Sequence, residues 1–557
     1  MLRSLSAIVA VVAAATVPAA GSAAPAARFA SMTYEGAEAV EVPADSFRNP
    51  IVPGFHPDPS VTRVGDDFYL VTSTFGWFPG IPVFHSRDLV NWRLVSHAIE
   101  RPGELDFSGV RVVTDGVYAP AIEHHDGTFY IFNTCTRCGG NFYVTATDPA
   151  GPWSDPVWLD FDGIDPSLFV DEDGRAWLVN NGPPEGEPRY EGHRAIWIQE
   201  FDLATGRLTG PRTLLVDGGV NPADKPIWAE GPHIYKVDGW YYLNAAEGGT
   251  AEDHSQTIYR SRAVTGPYEP GPGNPTLTQR DLPRDRADRV EATGHADFVK
   301  LDDGTWWALF LATRPFADQN TLLGRETWLL PVTWRDGWPV ILERGQPVPW
   351  VVQKPNLPAD KPVDWSRWSD SFDDARLSPE WLQMRNVADV QWYALDRDRD
   401  ELVLVAGADA ASTTGQPHFL GRRMRHHEAE WTTRLAFTPE REGDLAGLMA
   451  FMDEEHFLVA GIEGGAEGPR LVVRRKDGGA GDANGALVAE APLPANASEL
   501  DLRLAIDRGA AKLDWRPAGR GAWRSLAREI DVSHMASVNA GLFAGTMVGP
   551  YAVRGTR

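Results

Sequence analysis

Residues 58–71 read DPSVTRVGDDFYLV: an acid held ahead of a proline, an apolar run, an Asp-rich turn, then an aromatic run. The unit recurs as APAIEHHDGTFYIF from Ala119, DPSLFVDEDGRAWLV from Asp165, EGPHIYKVDGWYYL from Glu230 and HADFVKLDDGTWWALF from His295. Between the copies that start at Asp58, Asp165 and Glu230 the register holds without gaps. Their turn pairs Asp66-Asp67, Asp173-Gly174 and Asp238-Gly239 fall eight and nine residues after the starting acid, and the second copy needs a one-residue shift. Successive starts lie 61, 46, 65 and 65 residues apart. Each copy predicts a hairpin, because Gly and Asp tolerate the positive φ of a tight turn and the flanking aromatic and β-branched residues suit strands. Five hairpins at this spacing, each with room for two more strands, predict an all-β protein with a five-bladed β-propeller over residues 48–350. A long β-sandwich is the alternative, but it has no reason to keep nearly one register across five units.

The bulk composition agrees with more than one domain. The chain has 557 residues, 43% apolar and 10% aromatic, enough for sizeable cores. Of its 21 tryptophans most are expected to fill cores and a few to face a ligand, since aromatic faces suit sugar rings. A net charge of −25 and a pI near 5.0 argue against nucleic acid or an anionic membrane as partner, since both call for basic surface. The N-terminus carries one Arg, an apolar stretch from about Ala7 to Val17 and small residues at Ser22–Ala24, which predicts a signal peptide over residues 1–24. The mature protein is expected to be secreted or periplasmic, with no membrane partner. Two cysteines, Cys135 and Cys138, are too few for a structural zinc site, and both a local disulfide and a pair of loop thiols stay open.

In a propeller the innermost strands line a central channel, so equivalent positions of the units converge there. The column of unit starts reads Asp58, Ala119, Asp165, Glu230 and His295. Three carboxyl groups and an imidazole therefore meet in one funnel, although burying ionised groups without partners is costly. Prolines beside Asp58 and Asp165 and near Glu230 restrict the backbone there, as a preorganised site requires.

Several stretches carry a resemblance that covers the chain from about residue 48 onward. NPIVPGFHPDPSV, TSTFGWFPGIPVFHSRDLVNW, GVYAPAI, GIDPSLFVDEDG, AEGPHIYKVDGWYYLNAAEGGT, GHADFV and LGRETW look like glycoside hydrolase family 43, in particular its β-xylosidase and α-L-arabinofuranosidase members. The resemblance implies Asp58 as general base, Glu230 as general acid and Asp165 as the group that raises the pKa of Glu230 and orients it. The chemistry is consistent with this, because glycoside hydrolysis needs one protonated and one ionised carboxyl group on opposite sides of the anomeric carbon. The residues alone do not say which of the three acids is protonated. By similarity Phe75 and Tyr118 wall the pocket, where many relatives carry Trp in place of Tyr118, and Arg325 and Thr250 meet sugar hydroxyls. His295 is expected to touch the channel water, and in some relatives the equivalent His helps to hold a central cation such as calcium. No redox or electron-sink cofactor is required.

From about Trp365 the character changes: EWTTRLAFTP, LAGLMAFM, HFLVAGIE, RLVVRRKDG and LDLRLAIDRG read as alternating strands. Residues 365–557 resemble the concanavalin A-like β-sandwich that follows the propeller in this group, with Phe543 the counterpart of an aromatic lent to the pocket. Relatives continue past YAVRGTR with another aromatic strand, which is expected and not present before Arg557.

The implied function is an exo-acting, inverting glycosidase that releases non-reducing-end pentoses from xylo- or arabino-oligosaccharides, a β-D-xylosidase that also accepts α-L-arabinofuranosides. A mainly arabinofuranoside- or arabinan-directed enzyme is the first alternative. Retaining fructoside-hydrolysing propellers carry arginine-aspartate-proline and glutamate-cysteine signatures, where this chain reads GIDPS and WAEGP. A non-catalytic sugar-binding propeller is disfavoured by the presence of all three acids.

Overall fold

The computed structural model describes residues 24–37, 40–317, 321–387, 391–493, 499–541, 543 and 545–556. The predicted leader lies outside the described residues apart from Ala24, and among the described residues no helix is long and apolar enough to cross a membrane.

Five antiparallel sheets of four or five strands open on Ser60–Val64, Ala121–His125, Ile164–Val170, Glu230–Val237 and Glu291–Lys300. Each of these strands lies against the next, and the fifth lies against the first, so the ring closes as a five-bladed propeller. Buried hydrogen bonds stitch neighbouring blades. Ser60 Oγ donates to Asp297 Oδ2 at 2.8 Å and accepts from the Ile122 amide at 3.0 Å. Ser167 Oγ donates to the Pro232 carbonyl, Tyr235 to Asp297 Oδ1 at 2.5 Å, and Asn244 Nδ2 to the Ala296 carbonyl at 2.6 Å. Polar groups at the hub are thus paired with the next blade, which offsets the cost of burying them. Cys135 and Cys138 form a disulfide at the turn between strands Thr128–Thr136 and Gly140–Ala146.

The hairpins correct the sequence register by one residue. Val64 pairs with Asp67 around Gly65-Asp66, whereas Val237 pairs with Trp240 around Asp238-Gly239. The first turn is therefore Gly65-Asp66, Asp67 opens the returning strand, and the fourth copy runs one residue ahead of the first.

The second domain is a sandwich of two eight-stranded sheets. One of them takes in Ala26–Ala37, which pairs with Glu428–Ala436, Glu401–Val405 and Arg367–Asp370. Ala27, Phe29, Met32 and Tyr34 of this strand are buried in the sandwich core, so a segment that precedes the propeller in sequence completes the domain that follows it. Met547–Val553 is buried inside the other sheet, paired with Leu445–Asp453 and Leu420–Arg423. That sheet runs through Leu382–Met384 to end on Trp77–Phe78 of the propeller. Its core continues across the boundary through Phe75, Trp77, Val112, Val113, Leu322 and Leu323. The loops at one mouth of the propeller are therefore packed into the sandwich.

Candidate active site

Two residues before the regular run of each inner ladder, the backbone turns left-handed: φ is 55° at Asp58, 54° at Asp165, 56° at Gly231 and 50° at His295, the last three inside a bulge of the strand. The ladders follow at Ser60–Val71, Ser167–Val179, His233–Asn244 and Asp297–Leu309. Positive φ is uncommon outside glycine and is held only where the surroundings enforce it. The structural equivalent of Asp58 and Asp165 is therefore Gly231, and Glu230 enters the funnel one residue earlier. Gly231 cannot be replaced by a larger residue, because a Cβ there would come within 2.7 Å of the His295 ring. Its amide instead donates to Asp165 Oδ2 at 3.0 Å, which links Glu230 to Asp165.

Asp58 is buried and receives three donors. Ser73 Oγ donates to Oδ2 at 2.5 Å, and Arg325 donates from Nη1 to Oδ1 at 2.8 Å and from Nη2 to Oδ2 at 3.4 Å. Burial pushes the Asp58 carboxyl up, but Arg325, His295 and the Ser73 hydroxyl outweigh it and hold the pKa below the ordinary 3.8. Asp165 is raised to about 7, by burial first and then by the charge of Asp58, against the Gly231 amide and Arg194. Glu230 is raised well above 4.5 by burial, then by Asp165 and Asp58. Its side chain is only partly covered, yet protein surrounds it closely enough for burial to be the main cause of the shift. Two neighbouring acids in one low-dielectric site cannot both ionise readily. Asp165 has an amide to stabilise its charge, whereas among the described residues nothing donates to Glu230, so the shared proton belongs on Glu230.

The other expected residues gather around these acids. Arg325 Nη1 also reaches Thr250 Oγ1 at 3.2 Å, so Arg325 braces the carboxylate of Asp58 and stands beside Thr250, the other residue expected to meet the sugar. Phe75 packs in a tilted arrangement against Tyr118 at 5.3 Å and against Phe543 at 5.8 Å between ring centres. The Arg325 guanidinium lies 5.7 Å from the Phe75 ring and 5.2 Å from the Phe543 ring, which brings the sandwich's aromatic to the propeller's funnel. The main chain carries Phe543 there: the Thr546 amide donates to the Leu322 carbonyl at 2.8 Å, just ahead of Arg325. His295 Nδ1 stands 3.6 Å from Asp58 Oδ1, and burial lowers its pKa to about 4, leaving it neutral near pH 7.

The donors near His295 do not make a metal shell. The carboxylates beside it are committed, Asp58 to Arg325 and Ser73, Asp297 to Ser60, Val61 and Tyr235. A calcium-type ion needs six to eight oxygen ligands, and among the described residues no group of three or more His, Cys, Asp or Glu is placed to hold a metal.

Sequence reasoning missed Ser73 and Arg194. Ser73 sits on the chain returning from the first hairpin, inside the TSTFGWF stretch, where only Phe75 is singled out. Arg194 donates from Nε and Nη2 to Asn181 Oδ1 at 3.1 and 2.8 Å, and its charge offsets a small part of the upward shift of Glu230 and Asp165.

The sequence over residues 47–339 matches the family model for glycosyl hydrolases family 43. The chain belongs to that family. Residues 369–557 match the beta xylosidase C-terminal concanavalin A-like domain. The chain is 40% identical over 451 residues to a non-reducing end alpha-L-arabinofuranosidase of Bacteroides ovatus, covering 78% of this chain and 79% of that one. It is 38% identical over 434 residues to a xylosidase/arabinosidase of Butyrivibrio fibrisolvens, with 77% and 80% covered. The crystal structure of a xylan beta-1,4-xylosidase from Bacillus halodurans superposes with a TM-score of 0.82 at 35% identity over 91% of this chain and 96% of that one. As a family 43 member with an appended sandwich, the chain is a glycosidase.

Proposed function

We propose that this glycosidase removes single pentoses from the non-reducing ends of xylo- or arabino-oligosaccharides by single displacement, with Asp58 as base, Glu230 as acid and Asp165 as modulator. The observation that carries the reading is the opposite tuning of two carboxyls in one funnel. Arg325, His295 and Ser73 hold Asp58 ionised against its burial, while burial first, and then the charges of Asp165 and Asp58, favour the protonated form of Glu230. Asp58 takes a proton from a water, whose oxygen adds to the anomeric carbon. The glycosidic bond breaks, and Glu230 passes its proton to the leaving oxygen. Asp165 sets the proton affinity of Glu230 through charge and orients it through the Gly231 amide.

The packed rings of Phe75, Tyr118 and Phe543 support exo action, since they bring atoms from both domains beside Arg325. Proton NMR of the first-formed sugar from xylobiose tests the mechanism, with inversion expected and retention fatal to it. The xyloside reading is supported by the beta xylosidase C-terminal domain match. A mainly arabinofuranoside-directed enzyme is supported by the Bacteroides ovatus relative. The ratio of kcat/KM on aryl β-D-xyloside and aryl α-L-arabinofuranoside separates the two. Export to the periplasm or medium is supported by the apolar leader and by the Cys135–Cys138 disulfide, a bond that persists in oxidising compartments. Fractionation of the native host tests it, and activity confined to the cytoplasm counts against it.

A further inference from the structure

Ile227 and Trp228, which precede Glu230 by three and two residues, are large apolar residues that are each 38% exposed. Solitary exposed apolar side chains are ordinary, but this pair is held in a way that a solvent-facing loop does not need. The Trp228 amide donates to the Gly192 carbonyl at 2.9 Å, and the Gly248 amide donates to the Ile227 carbonyl at 2.8 Å, so the segment is clamped from both sides. Trp228 has a φ of 53°, a conformation that costs a bulky residue energy and persists only where the surroundings enforce it. The Arg194 guanidinium lies 5.2 Å from the indole centre and is itself fixed by Asn181, whose Nδ2 donates to the Ala229 carbonyl at 2.6 Å. Trp228 Cδ1 also lies 3.9 Å from where a Cβ on Gly249 would stand, next to the Thr250 that touches Arg325. The indole is thus a rigid, partly exposed aromatic surface beside Glu230, between Arg194 and the Gly249-Thr250 turn.

We propose that Trp228, braced by Arg194, is the platform for the sugar on the leaving-group side of the scissile bond. This rests on Glu230 being the acid: the group that protonates the leaving oxygen must stand beside the leaving sugar. The C–H face of a pyranose stacks on an indole, and Arg194 presents N–H donors to its hydroxyls. Trp228 is therefore a specificity-determining residue that favours oligosaccharides over substrates with no leaving sugar.

The test compares wild type, Trp228→Ala and Trp228→Phe on xylobiose, xylotriose and β-D-xylosyl fluoride, whose leaving group has no ring. Trp228→Ala is expected to lower kcat/KM on both oligosaccharides about tenfold, mainly through KM. The fluoride rate should stay within about twofold, which also reports an intact fold, and Trp228→Phe should recover most of the loss. Equal losses on all three substrates, or no loss on the oligosaccharides, overturn the platform in an otherwise active pentosidase. A wild-type enzyme inactive on every pentosyl substrate overturns the functional reading itself, and the platform with it.

Discussion

Arg325 Nη1 lies 2.8 Å from Asp58 Oδ1 and 3.2 Å from Thr250 Oγ1, with the Arg325 and Asp58 side chains both almost fully buried. The pair spans the closure of the ring, Asp58 from the first blade and Arg325 from the edge of the fifth. Because the guanidinium binds both carboxylate oxygens, it fixes the orientation of Asp58 as well as its charge. Arg325→Ala leaves a buried carboxylate without its cation, so the acid limb of the pH–rate profile is expected to move upward. Stability should fall by about 3–5 kcal/mol. Arg325→Lys should rescue only part of the rate, since an ammonium cannot make the forked contact. Profiles of kcat/KM from pH 3 to 9 with thermal melts check this, and an unmoved acid limb would count against the pair as the device that ionises Asp58.

Glu230→Gln and Asp58→Asn should each lower kcat/KM on xylobiose by about 10²–10⁴-fold with unchanged melting. On a nitrophenyl glycoside, whose leaving group needs little protonation, the Glu230 variant should lose far less than the Asp58 variant. Equal losses on both substrates would contradict the assignment of acid and base.

Asp165→Asn removes the nearest negative charge from Glu230. The basic limb of the rate profile is then expected to move down by about one pH unit. The stability consequence has a definite sign. Asp165 and Glu230 bind protons more tightly folded than unfolded, so stability declines as pH rises from about 4 towards 7. The variant should show a smaller decline in Tm across that window. A basic limb that stays in place would mean that Asp165 does not govern Glu230.

Arg385 joins the two domains. It is buried, donates to Glu454 Oε1 at 2.7 Å and to the Val110 carbonyl at 2.9 Å, and its own amide donates to the Gly76 carbonyl at 2.7 Å. Glu454 in turn accepts from the Val112 amide at 2.9 Å. Arg385→Met strands the Glu454 charge and should cost about 3–5 kcal/mol, with part of that recovered in Arg385→Met/Glu454→Gln. Because Gly76 follows Phe75, KM for xylobiose should rise in the single variant. Calorimetry and steady-state kinetics check both, and a KM unchanged despite a lowered Tm would separate the clamp from the pocket wall.

The hairpin repeat, the propeller and the three acids were legible in the sequence because strand alternation, tight-turn chemistry and recurrence at blade spacing are local signals. The following sandwich was legible for the same reason. The sequence could not determine the offset of Glu230. Its register depends on which residues occupy the turn, and both Gly65-Asp66 and Asp66-Asp67 are plausible turn pairs until the ladder partners are known. It could not determine that Ala26–Ala37 crosses to the sandwich, since its partners, such as Glu428–Ala436, lie several hundred residues away and any half-buried strand shows the same alternation. Nor could it determine that Arg325 serves Asp58, that Ser73 and Arg194 belong to the site, or that the Arg194 guanidinium lies against Trp228. Each of those depends on side chains brought together by ring closure. Residue types set which groups can carry the chemistry, and the closed tertiary fold sets their burial and neighbours, from which the proton on Glu230 and the charge on Asp58 follow.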